Sequence, residues 1–182
     1  MVWRLFQKEP EREKTEIERW MKKATIDECL TRAKNGMNSQ DVAERNGVPT
    51  LLRHVQDTIA DRKEPKRIEA SALYLLINAR SSAEYCRKEV EDFLQENEAA
   101  LGDDSVITIE LYRALAVCCY MTSISNGGGK SKAVKNAKVA LKRVEKVYGK
   151  DHPAYLNTGR LLNTVSWPVN KQSRADYMWV LL

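Results

Sequence analysis

The sequence is poor in the residues that punctuate or cross-link a chain: its 182 residues include eight glycines, five prolines, four cysteines and two histidines. So few glycines and prolines, beside 43% hydrophobic and 30% charged residues, exclude a low-complexity chain and describe a soluble globular one. Alternation of β-branched with polar residues is nearly absent, which excludes a strand-built fold. Cys29, Cys86, Cys118 and Cys119 lack Cys-x-x-Cys spacing, and His54 has no second His or Cys placed to join it, so no metal site is expected. The cysteines fall on apolar helix faces and are expected as reduced core thiols. No apolar run approaches the ~20 residues of a membrane span. Met1 to Phe6 is too short for a signal-peptide core, and Glu9, Glu11 and Glu13 follow at once. The expectation is a protein without a membrane span, cytoplasmic, with the nucleus as the alternative.

What the chain does have is helical periodicity. Pro10 with Glu11 and Glu13 starts a first helix, whose apolar stripe is Ile17, Trp20, Met21 and Ala24. Thr25-Ile26-Asp27-Glu28 is a capping box, so a second helix starts there and is expected to stop near Gly36. Ser39 is read as the cap of a short helix ending before Gly47, with a separate helix from Pro49 through Leu51, Leu52, Val55 and Ile59. Ile68, Ala72, Leu75, Leu76 and Ala79 mark the next, and Ser81-Ser82-Ala83-Glu84 is read as a further capping box. The helix from Val106 to about Ile124, capped by Asp104 or Ser105, is apolar over most of its circumference and is expected at the centre. Trp167-Pro168 ends the last helix, and an apolar tail follows to Leu182.

The most informative stretch runs from Lys130 to Val165. Ala133, Ala137, Ala140, Leu141, Val144 and Tyr148 share one helix face, and Lys135, Lys138, Lys142 and Lys146 line the opposite one. Gly149 suits a left-handed position just past the helix, and Pro153 suits the first position of the next helix. The same junction occurs 47 residues earlier: Gly102 aligns with Gly149, Leu94 with Leu141, Glu98 with Glu145 and Arg113 with Arg160. A period of that size means stacked helical units sharing a continuous core.

Ala140 to Pro153, ALKRVEKVYGKDHP, resembles the junction between tetratricopeptide repeats of the kinesin-light-chain type, where a helix ending in Glu-Lys runs into Leu-Gly-x-Asp-His-Pro. Beyond Pro153 the family continues towards Leu-Asn-Asn-Leu-Ala. Here Arg160 and Leu161 stand at the asparagine positions and Asn163 at the closing alanine. A second stretch, Asn46-Gly47-Val48-Pro49-Thr50-Leu51-Leu52 followed by Ala70 to Ala79, is similar to an armadillo repeat. In that resemblance the second helix follows a Gly-hydrophobic-Pro start, Tyr74 takes a Trp position and Asn78 the peptide-binding Asn position. Both resemblances imply the same class: an all-α, right-handed superhelical stack of helical hairpins, an α-solenoid. The expected layout is one domain over 1–182, with N-terminal capping helices over 1–47, repeat-like helices over 48–165 and a C-terminal tail or cap over 166–182.

Motifs for catalysis do not assemble. Asn126 to Ser131 imitates a phosphate loop, but Ile124 stands where its first glycine belongs, and the stretch follows a helix where the motif needs a strand. Asp151-His152 has no Ser or Cys nucleophile placed beside it. No catalytic residue and no cofactor is expected. The expected function is a non-enzymatic module or scaffold that binds a peptide or helix of a partner protein in a concave groove. The repeat resemblance implies that Arg113 and Arg160 face that groove, and the armadillo resemblance adds Tyr74 and Asn78. The net charge of +5 is mild. It leaves a second reading: binding of nucleic acid or another acidic partner by the basic face from Lys130 to Lys146, through Lys135, Lys138, Lys142 and Lys146.

Overall fold

The structure, a computed structural model, describes residues 16–126 and 128–166. The expected helix start at Pro10 and the apolar tail beyond 166 lie outside the described residues. Helix accounts for 82% of the described residues, and no strand occurs among them. The elements are α1 over residues 16–21, α2 (Ile26–Asn38), α3 (Val42–Thr58), α4 (Pro65–Ser82), α5 (Arg87–Leu101), α6 (Val106–Asn126), α7 (Lys130–Tyr148) and α8 (Pro153–Ser166). Packing runs mainly between chain neighbours: α2 on α3, α5 on α6, α6 on α7 and α7 on α8. The chain parts into two compact units, Met1–Tyr74 and Leu75–Leu182.

In the first unit the capping box closes as expected. The Glu28 carboxylate accepts from the Thr25 backbone N–H at 2.7 Å, and the Thr25 hydroxyl accepts from Glu28 N–H at 3.3 Å. These hydrogen bonds hold the Glu28 carboxyl below its usual value. The helix ends at Asn38, two residues past Gly36, with Ser39 N–H donating to the Gly36 carbonyl. Gly36 is a contact glycine: a Cβ there would lie 2.7 Å from Val48 Cγ2 and 3.1 Å from the Glu44 carbonyl oxygen, so its absence lets α3 lie against α2. Gly47 plays the same part towards Ile17.

The expected break at Gly47-Val48-Pro49 is absent, because α3 is one helix from an Asp41 cap to Thr58 with Pro49 inside it. Pro49 removes one backbone hydrogen bond, a cost of about 3 kcal/mol. Val48, Leu51, Leu52 and Val55 are all buried on one face, and at about 1.5–3 kcal/mol each they outweigh it. The stretch that carries the armadillo resemblance is thus helix interior and not a helix start.

The second unit is organised around α6. From Thr108 to Tyr120 every residue except Tyr112 is buried, because α5, α7 and α8 all lie against this helix. The segment Val106–Ile124 is the one described stretch long and apolar enough to cross a membrane, but 72% of it is buried inside the protein. Ile109, Val144 and Ala154 form a core where α6, α7 and α8 meet, with Tyr148 and Tyr155 packed on it. On α7 the alanines 133, 137 and 140 are fully buried, whereas Leu141, expected as core, is only half-buried and Val144 takes the inner position.

The 47-residue offset is realised at the hairpin junctions. Gly102 and Gly149 adopt φ of +83° and +81°, and their N–H groups donate to the Glu98 and Glu145 carbonyls at 3.0 and 2.9 Å. The next helix is then capped at the equivalent residue. The Ser105 hydroxyl accepts from Thr108 N–H at 3.1 Å, and His152 Nδ1 accepts from Ala154 N–H at 3.2 Å, with Pro153 the first residue of α8. The box expected at Ser81 does not form. The Ser81 hydroxyl instead donates to the Ile77 and Asn78 carbonyls at the end of α4, and α5 starts at Arg87 after Cys86, with no side-chain cap.

Alanine ordinarily stabilises a helix over glycine by about 0.5–1 kcal/mol. At Gly36 the Glu44 backbone cannot retreat cheaply, so Gly36→Ala is expected to lose about 1–3 kcal/mol instead. Chemical denaturation of the variant reads the sign directly.

Candidate interaction surface on α7

The four groove candidates occupy different environments. Arg113 is inside the protein, 3% exposed, and its Nη1 donates to Glu110 Oε1 at 2.5 Å, one helical turn back on α6. Arg80 belongs to the same buried group: burial lowers its pKa, Glu110 opposes that effect and Arg113 adds to it. Arg160, its repeat equivalent, is exposed on α8. The two arginines therefore do not share a groove face. Tyr74 is half-buried and its hydroxyl accepts from Arg53 Nη2 at 2.6 Å, with the Arg53 guanidinium 5.4 Å from the ring centre. Asn78 is half-buried on α4.

The basic face fares differently. Lys135, Lys138, Lys142 and Lys146 are all exposed, and Lys130 is half-buried at the start of α7. Two basic residues of α7 beside this face, Lys132 and Arg143, and Lys146 itself are held by acids of the preceding hairpin. Lys132 Nζ meets Glu91 at 3.1 Å, Arg143 pairs with Glu98, and Lys146 pairs with Asp104. Arg143 also donates to the Asp103 carbonyl at 2.5 Å and lies 4.6 Å from the Tyr112 ring centre, while the Tyr112 hydroxyl donates to Glu98 at 3.0 Å. Acid and base partners rise together along the chain, so α5 and α7 run side by side in the same direction. Sequence reasoning missed this ladder. Its signal was a row of acids followed by bases at separations of 41, 45 and 42 residues.

Lys135, Lys138 and Lys142 lie outside the ladder and have no ion-pair partner among the described residues. They span about 10 Å of helix axis at i, i+3, i+7, one straight row. At the C-terminal end of the row lies a shallow cleft of about 740 Å³ whose lining mixes Lys142, Arg143 and Lys146 with Asp103, Asp104 and Glu145. Among the described residues no group of three or more His, Cys, Asp or Glu side chains is placed to hold a metal ion. Cys118 and Cys119 are buried free thiols in α6, and burial pushes Cys118 up to about 12. Comparison of the chain with protein-family models, with curated proteins and with solved structures finds no match.

Removing one partner of the Glu110–Arg113 pair takes from a buried charge a counter-ion 2.5 Å away. Arg113→Ala is expected to cost about 3–5 kcal/mol, and exposed Arg160→Ala within about 0.5 kcal/mol of nothing; urea unfolding separates the two.

The thiols set an alkaline limit. Folding keeps Cys118 protonated above the value of 9.0 that an exposed thiol has, so its contribution is fully present below pH 9. It is lost as pH rises from 9 towards about 12. Cys118→Ala should flatten the fall in melting temperature over that window, and an unchanged slope would assign the fall to other groups.

Proposed function

We propose that this chain is a non-enzymatic, cytoplasmic interaction module built as a tetratricopeptide-like stack of helical hairpins, and that it takes an acidic protein partner on the lysine face of α7. The observation that carries this reading is the row Lys135, Lys138 and Lys142, exposed and without an acidic partner among the described residues, on a helix whose Lys132, Arg143 and Lys146 are each paired with an acid. Like charges at i, i+3 and i, i+4 cost an isolated helix about 0.2–0.5 kcal/mol per pair. Lys130 and Lys132 also stand at the positive end of the helix dipole, with no acid in the first turn of α7. Such a pattern does not serve the stability of its own helix. A carboxylate row from outside would relieve it.

The repeat reading is supported by the equivalent glycines at 102 and 149, the equivalent caps at Ser105 and His152, and the parallel run of α5 beside α7. A peptide groove that uses Arg113 as a contact is not part of the proposal, because that arginine is buried on Glu110.

Nucleic acid is the weaker reading for this face. No aromatic side chain interleaves the lysines to stack bases. Asp103, Asp104 and Glu145 along the cleft repel a uniformly anionic strand, while a protein partner presents both signs.

Fluorescence anisotropy with a labelled glutamate-rich peptide and a labelled oligonucleotide of equal charge tests the choice. The peptide is expected to bind more tightly, and Lys135→Glu, Lys138→Glu and Lys142→Glu together should weaken it more than tenfold, while Arg160→Glu leaves it unchanged. Tighter binding of the oligonucleotide, with a log–log salt slope of about −2 to −3 from three phosphate contacts, would replace the protein reading.

A further inference from the structure

Among the described residues, one acidic helix face matches the lysine row. On α5, Glu89, Asp92 and Glu96 are exposed and follow the same i, i+3, i+7 spacing as Lys135, Lys138 and Lys142 on α7. None of the three has an ion-pair partner among the described residues; the α5 acids that turn towards α7 are Glu91 and Glu98. Each face also has an edge residue of the opposite sign: Lys88 beside the acids of α5, and Glu145 beside the lysines of α7, which holds Lys150 at 3.3 Å.

We propose that the lysine face of α7 docks antiparallel on the acidic face of α5 in a second copy of this chain. This rests on the lysine face being the interaction surface, and it names the occupant. With the two helices antiparallel, Glu96 meets Lys135, Asp92 meets Lys138 and Glu89 meets Lys142. The axial levels agree to about 1.5 Å, one residue of rise. Beyond these pairs Lys88 lies one residue past Glu89 and Glu145 three residues past Lys142, so Lys88 of one copy and Glu145 of the other fall at the same end of the contact, offset by about 3 Å along the axis. A parallel arrangement matches the three main pairs without any offset but sends Lys88 and Glu145 to opposite ends. The antiparallel register is the one that uses all four.

A second consequence follows from the ladder. Because α5 and α7 run in the same direction within one copy, a two-fold axis cannot place each over the other in antiparallel contact. The docking is therefore head to tail, and each added copy leaves one acidic and one lysine face open. Association of this kind rises with protein concentration, does not stop at a dimer, and weakens as salt screens the charges.

Sedimentation velocity on the full chain tests this across a concentration series, at about 50 mM and about 300 mM salt, either side of the range where the Debye length falls below 10 Å. The wild type is expected to show a weight-average sedimentation coefficient that climbs with concentration at low salt and returns to the monomer value at high salt. Reversing the row alone, by Lys135→Glu, Lys138→Glu and Lys142→Glu, should abolish the climb. Reversing the acids alone, by Glu89→Lys, Asp92→Lys and Glu96→Lys, should do the same. Combining all six changes in one chain restores the original net charge of +5 and the complementarity, and should restore the climb.

Circular dichroism checks that each variant keeps its helix, and Glu89→Gln, Asp92→Asn and Glu96→Gln replace the reversed acids if that variant does not fold. A wild type that stays monomeric at low salt overturns the inference, as does a six-fold variant that folds and stays monomeric. If that monomeric wild type still binds the glutamate-rich peptide through its lysines, the self-association fails and the interaction reading stands. If it binds neither, both fail.

Discussion

Everything in the second unit follows from the need to cover α6. A 21-residue helix that is apolar on nearly every side has no face to give to water, so one partner helix is not enough. The unit supplies α5, α7 and α8, and the small side chains of α7 (Ala133, Ala137 and Ala140) let that helix approach closely. Gly129 serves the same approach at the start of α7, where a Cβ would lie 2.8 Å from the Cys119 carbonyl oxygen. The Glu110–Arg113 pair in the middle of α6 is tolerated because each group neutralises the other. Its net contribution to stability is small, since buried pairs seldom outperform apolar packing.

Covering α6 from several sides also decides where charge goes. Once α5 and α7 both pack on α6, their flanks face each other across a partly exposed seam. The acids Glu91, Glu98 and Asp104 on one side and Lys132, Arg143 and Lys146 on the other close that seam. Exposed pairs are worth about 0–1 kcal/mol each, so most of the weight falls on Arg143. It is the one base of the ladder that is mostly covered, and it joins Glu98, the Asp103 carbonyl and the Tyr112 ring at once. Lysine could not reproduce that fork.

The parts of the fold that were legible in the sequence are those fixed by local chemistry. The Thr25 box, the glycines at 102 and 149 and the proline at 153 work through residues within one turn of themselves, and all fall where the sequence places them. The parts that were not legible are those decided by burial. Gly47-Val48-Pro49 has the local look of a helix boundary, yet four buried side chains on one face carry the helix through it. Gly36 stands near a helix end, as expected, but its contact with α3 is decided by packing. Ser81 has the spacing of a capping box, but its hydroxyl is used by the helix before it.

The candidate site shows the same division at the level of single residues. The 47-residue offset pairs Arg113 with Arg160 correctly in sequence, but α6 is covered on several sides while α8 leaves Leu156, Arg160 and Asn163 exposed on one face. A repeat places equivalent residues at equivalent positions only if their neighbours are equivalent too. The residue three before Arg113 is Glu110, and the residue three before Arg160 is Asn157. That difference was in the sequence: an arginine with an acid one turn behind it on an apolar helix is equipped for the interior, and one without is equipped for water. Applied to α7, the same test separates its cations. Lys132 and Arg143 each have an acid of α5 at hand and Lys146 has Asp104 in the turn after it, whereas Lys135, Lys138 and Lys142 are exposed and outside that seam. Among the charges of α5 and α7 that neither the interior nor the seam takes up are a lysine row and an acidic row of equal spacing, both exposed.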